Sequence, residues 1–200
     1  LIENNRMSRV GDFFLPGGDR YVFRNNILGP SDIANAIHID GIQSNSPASY
    51  LLIEGNKSAD NNTSDNHFFL TSMNSNNWIV RQNHSVRSKG GQAWRCGGCG
   101  TNSMYAHYNN TWYNNVDYYF GWNQIGLSTA INNLSRNNIW YRAVRNPGGD
   151  PYYIGPGSTM DKDYDLLYQS GDTTMTHKLL SDPLFTNAIA DDFSLQSTSP

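Results

Sequence analysis

Asp40, His67 and His38 are the residues whose types and placement suggest chemistry first. If the chain folds as its repeats predict, Asp40 and His67 sit on neighbouring coils about 5 Å apart, with His38 two residues before Asp40. A carboxylate beside imidazoles forms an acid/base cluster whose proton affinities can be tuned by proximity. Asp12, Asp40, His67, Trp94 and Asp117 share one column, each two residues before an apolar core position. Gly41 permits a backbone bend that would set this column on a rim. The plainer alternative makes Asp40 a turn residue ahead of Gly41 and the histidines ordinary surface or core residues.

Two reactions fit these residue types. A uronate lyase needs a cation at the carboxylate, a base for the carbon-bound proton and an acid for the leaving oxygen. Arg87, Lys89 and Arg95 offer the cations, and His67 or Lys89 the base. A retaining glycosidase needs two carboxyl groups about 5 Å apart, a spacing that Asp12 and Asp40 on adjacent coils would meet. Trp94, Trp122 and Trp140, near turns, could support a sugar ring or simply cover the solenoid. The expected catalytic set is therefore Asp40, His67, His38 and Lys89. The expected binding set is Arg87, Arg95, Trp94, Asp12 and Trp122.

What must position them is a repeat. The stretch from Asp40 to Asn56 holds two short apolar runs, Ile42 to Ser44 and Tyr50 to Ile53, then a Gly-Asn corner. Apolar pairs eleven apart, followed three later by Asn, recur as Ile42/Ile53/Asn56, Phe69/Val80/Asn83, Cys96/His107/Asn110 and Tyr119/Ala130/Asn133. With Asn5 and Asn26 added, the markers are separated by 21, 30, 27, 27 and 23 residues. A 20 to 30 residue period of short β runs is the pattern of a β-solenoid, in which thin coils share one stacked core. Asparagine suits the corner because it tolerates left-handed backbone and its amide bonds locally, and stacked amides can bond from coil to coil.

Three corner insertions, Gly29 to Asn35, Lys57 to Asn66 and Arg87 to Gly91, follow marker asparagines and should project on one side. Trp78 and Tyr105 are expected in the core, and Leu15, Leu70 and Phe120 on the outer face. The coils are expected over residues 1–160, with the last strands and a closing cap over 161–200. Leu1 to Asn5 already reads as the second strand and corner of a coil, so the chain is expected to be a fragment lacking N-terminal coils and prone to associate through that end or a flank.

The Asn-cornered coils and the tail Asp182-Pro183-Leu184-Phe185 followed by Asp192-Phe193-Ser194-Leu195 resemble right-handed parallel β-helix proteins of the broad pectate-lyase-like superfamily. The resemblance implies an all-β fold of three parallel sheets in about six to seven right-handed coils. Because such folds host lyases, hydrolases, epimerases, phage tailspikes and adhesins, it leaves function to the site.

Composition narrows the partners. A net charge of −3 with scattered Lys and Arg argues against nucleic acid. With 16% charged residues and abundant Asn, Ser, Gly and aromatics, the surface suits a neutral, sugar-like partner, a polysaccharide. The chain contains no apolar run long enough to span a membrane. A secreted or surface location is expected, with a non-catalytic adhesin, matrix protein, fibre or tailspike as the alternative to an enzyme. Cys96 and Cys99 form a lone CxxC pair, too few ligands for structural zinc, so a buried thiol or local disulfide is expected. Asp161, Asp163 and Asp165 alternate as in a calcium loop, but Leu166 stands where an EF-hand needs Gly. No cofactor is expected, with Ca²⁺ the one candidate considered.

Overall fold

The computed structural model describes residues 1–9, 11–30, 39–44, 46–60, 66–71, 75–87, 91–96, 105–113, 123–125, 132–142, 152–154, 159–169 and 174–200. Within these the protein is all-β and mainly parallel. Sheet A stacks Ile2–Glu3, Val22–Arg24, Ala48–Glu54, Asn76–Arg81, Tyr105–Tyr108, Asn133–Arg136 and Met160–Asp163, with Gly18–Asp19 also pairing to Ala48–Glu54. Sheet B stacks Arg6–Met7, Ile27–Leu28, Lys57–Ala59, His84–Val86, Thr111–Tyr113, Ile139–Tyr141, Asp165–Tyr168 and Lys178–Leu179. Sheet C stacks Ile39–Ser44, Asn66–Thr71, Gly91–Cys96, Asn123–Ile125 and Tyr152–Ile154, and Phe14 bridges to Ile42 at its edge. The chain visits A, B and C in turn, the strand path of a β-solenoid.

The corner from A to B is the tightest and explains the asparagines. Asn4, Asn25, Gly55, Gln82, Asn109 and Asn137 all take left-handed backbone, and each precedes a ladder asparagine. Asn5, Asn26, Asn56, Asn83, Asn110 and Asn138 then bond rung to rung. Asn56 donates from its backbone N and its Nδ2 to Asn83 Oδ1 at 2.9 and 3.0 Å, and Asn83 does the same to Asn110 at 3.1 Å. The ladder ends on a carboxylate, Asp165, whose Oδ1 accepts from Asn138 N at 2.8 Å.

The sixth rung corrects the sequence expectation: Asn138, not Asn133, occupies it. Asn133 lies in sheet A, where its Oδ1 accepts from Tyr105 N and its Nδ2 donates to Thr159 O. Two Asn-Asn pairs compete in this coil, and Asn132 and Asn137 are both left-handed. Local chemistry therefore could not separate them, and the strand register, Ser135 opposite His107, decides for Asn138.

Inward columns build the core. In sheet A, Phe23, Ile53, Val80, His107 and Ser135 are in register and buried, alongside Leu51, Trp78 and Tyr105. Trp78 and Tyr105 thus sit where the sequence placed them, and Leu15 is exposed as expected. In sheet B, Leu28, Ser58, Ser85, Trp112, Trp140 and Leu167 form the matching column, with Trp112 stacked on Trp140 at 5.5 Å. The core turns polar toward its C-terminal end. Asp165 Oδ2 accepts from Tyr152 Oη and from Trp140 Nε1, and Ser135 Oγ lies 2.8 Å from Tyr152 Oη.

The tail does more than close the end. Lys178–Leu179 extends sheet B and Met175 enters the core, but the hairpin of Phe185–Asn187 and Asp192–Leu195 lies on the outer face of sheet B. There Phe185 and Phe193 cover Ala59, Val86, Tyr113, Ile139 and Tyr141. A two-stranded hairpin is marginal alone, so this apolar contact and one ionic clamp must hold it. Asp191, left-handed at the end of a short 3-10 turn, takes Lys57 Nζ at 2.5 Å and Arg87 Nη1 at 2.6 Å. Asp191→Ala is expected to cost about 1 kcal/mol, the scale of partly exposed ion pairs, and to raise amide exchange in 185–195 selectively. Uniform exchange across the chain would show that the clamp is not local.

Candidate functional site

The predicted Asp40 and His67 stack is present: they are register partners in sheet C, with Ile42 opposite Phe69 two residues on. Asp12 joins from the coil before, its Oδ1 accepting from Asp40 N at 3.2 Å while Phe13 N donates to Asp40 O at 2.9 Å. Asp40 itself is fully buried, not laid out on an open rim.

The next member of the column is a correction. Gln92, not Trp94, is opposite His67, and Trp94 is the register partner of Phe69. Cys96 shifts with it, opposite Thr71 rather than Phe69. The cause is loop length: from Asp40 to His67 is 27 residues, but from His67 to Gln92 is 25, because the B to C connection is shorter there. An asparagine register cannot be carried across a corner of variable length.

Gly41 lies inside the sheet C strand Ile39–Ser44, packed tightly against the next coil. A Cβ on Gly41 would stand 2.4 Å from the backbone oxygen of Phe68 and 3.4 Å from Leu28 Cδ1. Sheet C thus approaches the next coil more closely than any side chain allows, beside Asp40. Gly41→Ala is expected to destabilise by about 1 to 3 kcal/mol, the usual cost of overpacking. A urea midpoint equal to wild type would show that the strand can shift to admit the methyl.

All three insertions fall in sequence between a sheet B strand and the next sheet C strand. The middle one is shorter than predicted, since Lys57–Ala59 is a sheet B strand and Asn66 opens a sheet C strand. His38, Lys89, Trp122, Asp117 and Tyr119 lie outside the described residues, and Trp94 and Arg95 are described only as strand backbone.

Arg87 directly follows the sheet B strand His84–Val86, and its guanidinium is committed. Asp60 takes Nε at 2.8 Å and Nη2 at 3.0 Å, and Asp191 takes Nη1. Arg87 beside Asp191, with Lys57 adding to it, holds that carboxyl below the usual range. His84, edge-on to Phe193 at 5.3 Å, has its pKa pushed down first by burial and then by Lys57.

The carboxylates considered for calcium have other partners. Asp161 takes Arg136, Asp163 takes His177 Nδ1 at 2.7 Å, and Asp165 ends the asparagine ladder. Among the described residues no group of three or more His, Cys, Asp or Glu could hold a metal ion.

Sequence reasoning missed an ordered charge column on sheet A. Glu3, Arg24, Glu54, Arg81, Tyr108, Arg136 and Asp163 are in register, and Glu54 bonds both Arg24 at 2.5 Å and Arg81 at 2.7 Å. Arg81, and then Arg24, hold the Glu54 carboxyl below its ordinary value. The signal was available: each residue stands two before a ladder position.

The class this fold defines is a solenoid-like stack of parallel sheets. No protein-family model, no curated protein and no solved structure matches the chain.

Proposed function

We propose that this chain is part of a secreted or surface-exposed right-handed parallel β-helix of the pectate-lyase-like kind, with about six to seven coils, that binds a polysaccharide along the edge between sheets B and C. The observation that carries the reading is the alignment of that edge. Along it the sheet B strands ending at Leu28, Ala59 and Val86 are followed in turn by the sheet C strands opening at Ile39, Asn66 and Gly91, which hold the in-register Asp40, His67 and Gln92, with Asp12 bonded to Asp40 from the coil before. A repeating edge offers equivalent hydrogen-bonding positions at the strand spacing, which suits a repeating polymer.

The binding reading takes precedence over cleavage because of burial. Asp40 has no exposed surface and Arg87 is held by two carboxylates, so these two of the expected groups are not displayed to a substrate as the lyase scheme needs. An adhesin, matrix protein, fibre or tailspike shares this binding geometry.

A panel of acidic and neutral polysaccharides, assayed for binding and for unsaturated and reducing ends, tests the proposal. Binding without new chain ends is the expected result, and Asp40→Asn should leave that binding intact. New ends formed by wild type and reduced about 10² to 10⁴-fold in Asp40→Asn would replace it with lyase or hydrolase chemistry. Absence of binding across the panel would overturn it.

A further inference from the structure

Six asparagines stand in Asn-X-Ser/Thr, the acceptor pattern for N-linked glycan: Asn56, Asn61, Asn62, Asn83, Asn109 and Asn133. This pattern normally marks a surface loop, yet three of the six are buried. Asn56 and Asn83 are ladder rungs and Asn133 lies in sheet A, each with at most 2% of its surface exposed. Their Nδ2 atoms are already engaged. Asn56 Nδ2 donates to Phe23 O at 2.9 Å and Asn83 Oδ1 at 3.0 Å, Asn83 Nδ2 to Ile53 O and Asn110 Oδ1, and Asn133 Nδ2 to Thr159 O. Asn109 differs: it is the exposed, left-handed corner residue before a rung. Asn61 and Asn62 lie outside the described residues.

Glycan transfer forms a bond from Nδ2 to the anomeric carbon of a lipid-diphosphate oligosaccharide. The lipid diphosphate leaves and one Nδ2 proton is lost. At Asn56 or Asn83 the lost hydrogen is a ladder hydrogen, and the sugar would need the space of the neighbouring coil. Transfer acts on the emerging chain, before burial can protect these amides.

We infer that N-glycosylation and folding exclude one another in this chain at Asn56, Asn83 and Asn133, that Asn109 is an acceptor the fold tolerates, and that its native export route does not attach N-linked glycans to the unfolded chain. The last clause rests on the exported location proposed above. Fractionating cells of the native source tests that location separately, and its failure leaves the exclusion itself untouched.

The experiment is expression of this chain behind a secretion leader in a glycosylating eukaryotic host, with and without an inhibitor of lipid-linked oligosaccharide synthesis. Folded, protease-resistant product is then mapped by glycopeptide analysis. Blocking synthesis should raise the folded yield severalfold. Without the inhibitor, the folded fraction should carry bare amides at Asn56, Asn83 and Asn133, the misfolded fraction should carry glycan there, and glycan at Asn109 should occur in both. Folded product bearing glycan at any of the three buried sites, or a folded yield that does not change with inhibition, would overturn the inference.

Discussion

Asn83→Ala is expected to lower the unfolding free energy by about 3 to 5 kcal/mol, read as a fall in urea midpoint at unchanged slope. The side chain makes four hydrogen bonds: Oδ1 accepts from the backbone N and Nδ2 of Asn56, and Nδ2 donates to Ile53 O and Asn110 Oδ1. Its neighbours Asn56 and Asn110 are at most 1% exposed, so water cannot replace what is lost. Each buried group left unpaired costs about 1 to 3 kcal/mol; the alanine strands the Asn56 N–H and takes one donor each from the Ile53 carbonyl and Asn110 Oδ1. Asn5→Ala, on an exposed rung, should cost far less. Equal losses at the two positions would mean that the ladder is not the source of the effect.

His107→Val is expected to flatten the acid side of the stability profile. His107 stands in the core column between Val80 and Ser135, and burial pushes its pKa down to about 3. A base whose folded pKa lies below its unfolded value of about 6.5 stabilises fully only above the unfolded value. That stability is lost as pH falls from 6.5 toward 3, reaching about 4 to 5 kcal/mol in total and about 2 to 3 kcal/mol by pH 4.5. His84, also pushed down by burial, acts in the same direction. Asp165 acts oppositely: burial raises its pKa, so its contribution is complete below the unfolded carboxyl value and lost as pH rises through the folded one. Comparing wild type and His107→Val by urea unfolding at pH 7.5 and pH 4.5 isolates the imidazole. Parallel losses in the two proteins would show that His107 accepts a proton without unfolding the coil.

The repeat was legible because asparagine fills the rung after the left-handed corner residue. A left-handed Asn, Gly or Gln followed by a ladder asparagine recurs from Asn4-Asn5 to Asn109-Asn110. The same logic failed at Asn133, where a second Asn-Asn pair satisfied the local rule and only pairing with the next strand chose Asn138. Asp40 opposite His67 was readable because the 27 residues that separate them equal the 27 that separate Asn56 and Asn83, whereas Trp94 was misplaced by a connection two residues shorter. The clamp of Asp191 on Lys57 and Arg87 was not readable at all. It joins residues 134 and 104 positions apart through a hairpin lying across sheet B, and no local pattern encodes where a tail will lie.

The claim that a polysaccharide lies along the edge between sheets B and C is tested most directly by hydrogen exchange on the full chain, with and without the panel member that binds best. Protection should appear in residues 11–14, 39–42, 66–69 and 91–94, successive coils of one edge, while the outer face of sheet A around Leu52 and Ile79 stays unchanged. Protection centred on that sheet A face, or no protection at saturating polysaccharide, would contradict the account.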